Sequence, residues 1–342
     1  MRFSLNKSLS HWVLAASTSV VALGSAGLAH ADATLLNVSY DVTREFYKDY
    51  NKVFIAHWKK TTGETLTINQ SHGGSSKQAS SVAEGLAADV ITMNQANDID
   101  ILFDRAKLIP QNWASRLPNN SSPTTSVSVI LVRKGNPKKI QDWVDLARPG
   151  VTIVIPNPKV TGNGRYTYLA AYGSVLKKGG DANNARALVR GIFANVPVLD
   201  GGGRAATTTF AQRNIGDALA TFESEVPLIK REFGQDFEVI YPSVTVLAEN
   251  PVSVVDKVVD KKGTRKQAEA YLKYLWSDEG QEVAARNHMR PRSAKVLAAH
   301  AKDFPKVNTF TVGEVFGGWT KAQKDHFADG GTYDQILAAG RK

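Results

Sequence analysis

The 342-residue chain contains no cysteine. That absence removes thiol nucleophiles, disulfide staples, iron–sulfur clusters and cysteine-ligated zinc together. A chain of this length can bury ordinary apolar cores and does not need cross-links. Beyond the first thirty residues there is also no long apolar run: "VSVILV" and "VTIVI" are strand-sized, far short of the roughly 20 residues of a membrane helix. Histidines are few, and His57, His72, His288, His300 and His326 show no HExxH or similar metal-ligand spacing, so packing or surface roles fit them better. Neither a GxSxG elbow nor a phosphate-binding P-loop occurs, and "GNGRYT" and "GGGRAATTT" match neither pattern. The acids Glu223 and Glu225 alternate along a strand-like stretch and are expected to cap or to pair with basic neighbours. No catalytic set, cofactor motif or metal cluster is legible, and the chain reads as a binding protein and not an enzyme.

What is present begins with a leader. Arg2 and Lys7 precede the small, apolar "VLAASTSVVALGSAGLA", and Ala29-His30-Ala31 forms an A-x-A pattern before Asp32. Residues 1–31 are therefore expected to be a cleavable signal peptide, cut after Ala31, which sends the chain to the periplasm. The formal charge of +10 falls to +8 once Arg2 and Lys7 leave. The remaining positive residues are interspersed with acids, as in "DKVVDKKGTRKQAEAY", which describes a solvated surface and not a nucleic-acid site.

After the leader, strand-like and helix-like segments alternate almost throughout, from "TLLNVSYD" and "VTREFYKDYNKVFIAHWKK" to "FEVIYPS". Alternation of this kind predicts an α/β fold with mostly parallel sheets covered by helices on both faces. Pro- and Asn-rich "LIPQNWASRLPNNSSPTTS" and Pro-broken "VTVLAENPVSVVDK" mark two crossings between lobes. The expected organisation is one lobe from residues 32–121 and 253–342 and a second from 122–252, with the ligand in the cleft between them.

Four loops rich in small residues stand at strand-to-helix junctions: "NVSYDVTREF" with Asp41, "QSHGGSSKQA" with Ser75, "PNPKVTGNGRYTY" with Thr161, Gly162 and Asn163, and "VLDGGGRAATTTF" with Gly203. Each alone reads as a cap or tight turn, and Asp41 in particular as a helix cap. Arg204 reads either as a ligand contact or as a tie to loop carbonyls. Four such loops together suit a small oxyanion, which must be surrounded by donors from several directions. Backbone N–H groups at helix starts supply those donors without a counter-charge.

At these residues the chain resembles the periplasmic sulfate- and thiosulfate-binding proteins, the solute receptors of bacterial ABC importers. The carriers are "LLNVSYDVTRE", "QSHGGSSKQA", "LPNNSSP", "LVRKGNPK", "RYTYLAAYG", "TTTFAQRNIGDAL", "AEAYLKYLWSDEGQE" and "VFGGWTKAQKDHF", in order along the chain after the leader. The resemblance implies a two-lobed type II periplasmic-binding-protein fold that closes on a dehydrated oxyanion, a monomer that hands its ligand to an inner-membrane permease. It implies as donors the N–H groups of Asp41 and Ser75, the hydroxyl of Thr161, and the N–H groups of Gly162, Asn163 and Gly203. Phe222 stands where sulfate-binding members carry a tryptophan whose indole donates to the ion; "TFESE" is thiosulfate-like wording, whereas "VFGGWTKAQKDHF" is sulfate-like. Both ligands stay open. A receptor for phosphate or molybdate is the nearest alternative, with the carboxylate of Asp41 as the acceptor a protonated phosphate would need; a secreted ester hydrolase is a further one.

Overall fold

In the computed structural model, which describes residues 33–340, twelve strands are divided between two sheets. They are β1 (Ala33–Tyr40), β2 (Leu66–Gly73), β3 (Val90–Thr92), β4 (Thr124–Arg133), β5 (Ile153–Pro156), β6 (Leu199–Asp200), β7 (Ala218–Phe222), β8 (Phe237–Ile240), β9 (Thr245–Asn250), β10 (Val252–Val254), β11 (Arg290–Pro291) and β12 (Thr309–Phe310). The expected signal peptide and its cleavage point lie outside the described residues.

The first sheet has the order β10-β3-β1-β2, with β1 parallel to both β2 and β3. Side chains alternate across it, as a period of two requires. Leu35 faces one core with Tyr50, Phe54 and Tyr271, while Val38 faces another with Val82, Ile99 and Leu102. Asp89 is fully buried behind this sheet, where its carboxylate accepts from Leu36 N at 2.7 Å and Thr264 Oγ1 at 2.5 Å and pairs with Lys262.

The second sheet runs β12-β9-β4-β7-β5-β6, with β8 and β11 also paired to β4. Here the expectation of a mostly parallel sheet needs correction. β4 lies antiparallel to β7, β8, β9 and β11, and only the β5–β6, β5–β7 and β12–β9 pairs are parallel. The reason is geometric: β4 enters this sheet from the first lobe and β9 leaves it toward the first lobe, so the two connecting strands run in opposite directions. β4 is also the central strand, with Ile130 and Val132 in one core and Val127, Val129 and Leu131 in the other.

The chain passes from the first sheet to the second before β4 and returns between β9 and β10. Asn119, Asn120 and Ser121 have left-handed backbones (φ 56°, 53° and 57°) just before β4, a conformation to which asparagine is among the best suited of non-glycine residues. Pro251 separates β9 from β10, and Tyr40 Oη donates to Asn250 Oδ1 at 2.9 Å across the same point.

A third crossing departs from the expected organisation. After the helices Arg265–Tyr274 and Asp278–Arg286, which cover the first sheet, β11 pairs with β4 and β12 pairs with β9. Phe310, Phe316, Phe327, Tyr333 and Ile336 then join the core of the second sheet beside Tyr168 and Phe193. The block expected as 253–342 of the first lobe therefore divides, and its last part belongs to the second. Its aromatic residues fill a face that β4–β7 and the helix Gly162–Lys177 leave open; Gly173 of that helix lacks a Cβ where one would lie 2.3 Å from Phe310.

Candidate functional site

Three helices begin at one cavity between the lobes: Ser75–Ala83 after β2, Gly162–Lys177 after β5, and the short Gly203–Thr207 after β6. A 3-10 turn, Asp41–Thr43, after β1 adds a fourth start. Helix starts carry N–H groups with no acceptor inside the helix, so all four junctions present donors to the same space. Asp41, Ser75, Thr161, Gly162, Asn163, Gly203 and Phe222 all line this cavity. The structure thus brings the seven residues singled out in the sequence to one place.

Their side chains are used in different ways. Thr161 is the N-cap of its helix: its Oγ1 accepts from Gly164 N at 3.0 Å and donates to Asn157 O at 2.9 Å. This leaves the N–H groups of Gly162 and Asn163 without an intrahelical acceptor. It also commits the hydroxyl hydrogen to Asn157, so donation to a ligand requires that bond to be exchanged. Ser75 turns its hydroxyl away from the cavity to Asp98 Oδ2 at 2.5 Å, and the cap position before it is Gly74, which has no side chain to cap with. Asp41 does not cap its helix as expected; its carboxylate pairs at 3.2 Å with Arg44, both exposed to solvent.

Two glycines at the start of the helix Gly162–Lys177 stand in close approach, Gly162 to a side chain and Gly164 to backbone. A Cβ on Gly162 would lie 2.3 Å from Oδ1 of Asn94, which reaches over from the end of β3 in the opposite lobe. A Cβ on Gly164 would lie 2.1 Å from the carbonyl oxygen of Pro156, because the helix start is pressed onto β5. Phe222, at the end of β7, is buried and stands edge-on to Tyr166 with ring centroids 5.6 Å apart. It therefore belongs to the core and to the cavity wall together.

The charges around the cavity do not form a cationic trap. Arg204 is about half exposed, lies 3.6 Å from Glu232 and does not tie the loop carbonyls. Of the two acids in "TFESE", Glu223 behaves as expected: Arg290 grips it with Nε at 2.5 Å and Nη2 at 2.7 Å, and Tyr241 donates to it at 2.9 Å. Glu225 does not. It lines the cavity, is buried, and is joined by Asn163 Nδ2 at 3.2 Å, with no basic partner in contact among the described residues. Burial pushes its carboxyl up to about 7, against the opposing pull of Thr221, Arg204 and Asn163. Sequence reasoning missed Glu225 as a cavity group, and it missed Asn94 and Thr207, whose Oδ1 and Oγ1 are buried there without a hydrogen-bond partner among the described residues. Only their position in the fold reveals them. No cluster of three or more acids and histidines suited to a metal occurs among the described residues.

An arrangement of neutral N–H donors at several helix starts is suited to holding a small anion by hydrogen bonds and local dipoles. Comparison with known proteins agrees with that chemistry. Residues 41–290 match the model of a family described as bacterial extracellular solute-binding protein. A thiosulfate-binding protein of Pseudomonas aeruginosa is 62% identical over 325 residues, covering 94% of this chain and 98% of the relative. The chain belongs to the sulfate- and thiosulfate-binding family of bacterial solute-binding proteins. A sulfate-binding protein of Escherichia coli is 54% identical over 94% of this chain and 96% of its own. Among solved structures, the sulfate-binding protein SubI from Mycobacterium tuberculosis superposes with a TM-score of 0.77 at 28% identity, over 86% of this chain and 99% of that one. Within this family the two-lobed α/β fold is shared, and the cavity described above lies between its lobes.

Proposed function

We propose that this protein captures sulfate or thiosulfate in the cleft and delivers it to the permease of an ABC importer, working in the periplasm as a monomer after removal of residues 1–31. The observation that carries this reading is the convergence of four helix starts, with Asp41, Ser75, Gly162 and Asn163, and Gly203, on one cavity whose lining arginine, Arg204, lies beside an acid. Backbone N–H groups of Asp41, Ser75, Gly162, Asn163 and Gly203 are the proposed donors, joined by the Thr161 hydroxyl once it releases Asn157. The relatives' names support both ligands and do not separate them.

Most of the proposed ligand contacts are donors, with Glu225, Asn94 Oδ1 and Thr207 Oγ1 the acceptors that also line the cavity, and that balance makes phosphate the weaker candidate. At neutral pH phosphate retains a proton that needs an acceptor, and leaving it unpaired is costly. Asp41, the acceptor that the sequence suggests, is turned outward to Arg44. Calorimetric titration of the chain from Asp32 onward with sulfate, thiosulfate, phosphate and molybdate tests the reading. Saturable one-to-one binding of sulfate or thiosulfate, with phosphate at least a hundredfold weaker, is expected (a gap of about 2.7 kcal/mol). Preference for phosphate or molybdate, or no binding at all, would overturn it.

A further inference from the structure

Three segments of the second lobe that line the cavity meet at one side-chain hydrogen bond. The first is the start of the helix Gly162–Lys177, where Asn163 is 5% exposed. The second is the 3-10 turn Glu223–Glu225, which follows Phe222 and ends on Glu225, itself 6% exposed. Asn163 Nδ2 donates to Glu225 Oε1 at 3.2 Å, and Thr167 Oγ1, one turn along the helix, donates to Asn163 Oδ1 at 3.5 Å. The threonine thus fixes which end of the amide faces Glu225. The third segment is the helix Gly203–Thr207, whose first residue stands against the bond. A Cβ on Gly203 would lie 3.3 Å from Asn163 Nδ2, and 3.5 Å and 3.6 Å from the two carboxyl oxygens of Glu225. The turn is anchored by the residues that follow it, Val226 and Ile229, which pack with Ala206 and Phe210 in one core of the second sheet.

We propose that the Asn163 amide and the Glu225 carboxyl are positioning groups of the anion site: their hydrogen bond sets the spacing between the helix starts at Gly162 and Gly203 and the wall that carries Phe222. The proposal rests on the reading that these helix starts hold an oxyanion. Asn163 then acts twice, through its backbone N–H as a donor to the ligand and through its side chain as a tie to the turn after Phe222. This gives a role to an acid in the wall of an anion cavity, where its charge alone would only repel the ligand. A carboxyl offers Asn163 an acceptor oxygen whether or not it carries its proton, so the tie survives titration. Among the described residues no basic side chain contacts Glu225. Arg204 in the third segment and Asp41 in the opposite lobe act on it from farther off, with opposite signs, and Thr221 of β7 and Tyr40 of β1 also face it. Loss of the tie reaches two proposed donors at once, the N–H groups of Asn163 and Gly203, although neither tied group touches the ligand through its side chain.

The test is calorimetric titration with sulfate and with thiosulfate on the wild type, Asn163→Ala, Glu225→Leu, their double variant, Glu225→Gln and Asn163→Asp. Asn163→Ala keeps the backbone N–H and should still weaken both anions about tenfold, the scale of one lost hydrogen bond. Glu225→Leu removes a negative charge from the cavity wall and should nevertheless weaken binding by a similar factor. The double variant should be no worse than the worse single, because the two groups act as one. Glu225→Gln keeps an acceptor oxygen and sheds the charge, so at about pH 8 it should bind at least as tightly as the wild type. Asn163→Asp sets a second carboxyl against the first, and two acids so close share a proton. Its affinity should fall about a hundredfold at about pH 8 and recover to within about tenfold of the wild type at about pH 5.5. A side chain that only fills space gives no such recovery. Unchanged affinity in Asn163→Ala, tighter binding by Glu225→Leu, single effects that multiply in the double variant, or a loss in Asn163→Asp independent of pH would each overturn the proposal. Asn163→Ala and Asn163→Asp carry the test if Glu225→Leu fails to fold. Failure of the wild type to bind either anion would instead remove the function on which the proposal rests.

Discussion

The two walls of the cleft each contain a buried acid, and they treat it in opposite ways. Behind the wall built on β2 and β3, Asp98 is surrounded by three neutral donors and faced by Arg165. In the wall built on β5 to β7, Glu225 has an amide hydrogen bond from Asn163 and, among the described residues, no cation in contact. Both carboxyls are raised by burial, Glu225 to about 7. The difference shows that burial alone does not fix a carboxyl's charge; the donors and charges that meet it also count. Asp98 has three donors and a facing cation to stabilise its charge, whereas Glu225, raised to about 7, is only partly ionised at neutral pH, which lessens its repulsion of an anion in the cavity.

The largest expected effect breaks the meeting of the walls outright. Gly162→Val places branched carbons where Asn94 of the opposite lobe already stands, 2.3 Å from the first added carbon. Affinity for sulfate and thiosulfate should fall by about a thousandfold or more, equivalent to roughly 4 kcal/mol. The thermal midpoint without ligand should change little, since the clash lies in the cleft and not in either core. Titration and calorimetric melting on one preparation check both halves, and intact binding would mean that Gly162 merely lines a turn.

The next effect isolates Glu225. Its ordinary value near 4.5 is raised to about 7 in the folded protein, so the unfolded chain ionises first as pH climbs. The stability associated with the neutral acid is complete below about 4.5 and is lost as pH rises through about 7. Glu225→Gln is neutral throughout and should escape that loss. Without ligand, wild type and variant should melt alike at acid pH and separate above neutrality, with the variant ahead by at most about 3 kcal/mol. Denaturant unfolding at about pH 4.5 and about pH 8 measures the gap, and a gap independent of pH would show that Glu225 titrates normally.

Phe222 gives a smaller effect and tests the second wall's choice of ligand. The ring supplies no donor, and its cavity-side edge offers an apolar face that suits the terminal sulfur of thiosulfate. Phe222→Trp adds an indole N–H, a contact to a charged acceptor worth roughly 1.5–3 kcal/mol. The ratio of sulfate to thiosulfate affinity should rise by about tenfold, the conservative end of that range. Because Phe222 also packs on Tyr166, its melting temperature without ligand has to be measured alongside; an unchanged ratio in competition titrations would leave it a core residue only.

Much of this is legible in the sequence, for identifiable reasons. The strands β1, β4 and β9 and the long helices follow from periodicity, and the Thr161–Gly164 loop shows its cap directly in its residues. The third crossing is not legible, because β11 and β12 are two residues each and take their strand character from the neighbours they pair with. Glu225 and Asp98 are hidden for another reason. Nothing local separates a buried acid from an exposed one: Glu223 and Glu225 stand two residues apart, yet one meets Arg290 and the other meets the cavity. Asn94 and Arg165 likewise gain their positions only when the lobes come together.

The smallest expected effect concerns salt, and it separates the proposed site from a simpler one. A protein of formal charge +10, or +8 without the leader residues Arg2 and Lys7, attracts anions over long distances whatever its binding site is. If lysines and arginines held the ligand, inert salt would weaken binding steeply, because exposed charges are screened over about 10 Å at 0.1 M. In the proposed site the donors are backbone N–H groups at helix starts, and the lining arginine lies 3.6 Å from Glu232. Hydrogen bonds from neutral, fixed groups inside a closed cleft lie beyond the reach of mobile ions. Raising inert chloride from about 20 mM to about 200 mM should therefore slow association modestly and leave the release rate unchanged. The dissociation constant should change by no more than about threefold. Rate measurements across that range decide the matter. A release rate that climbs with salt would mean that charged side chains hold the anion, and that the four helix starts only frame it.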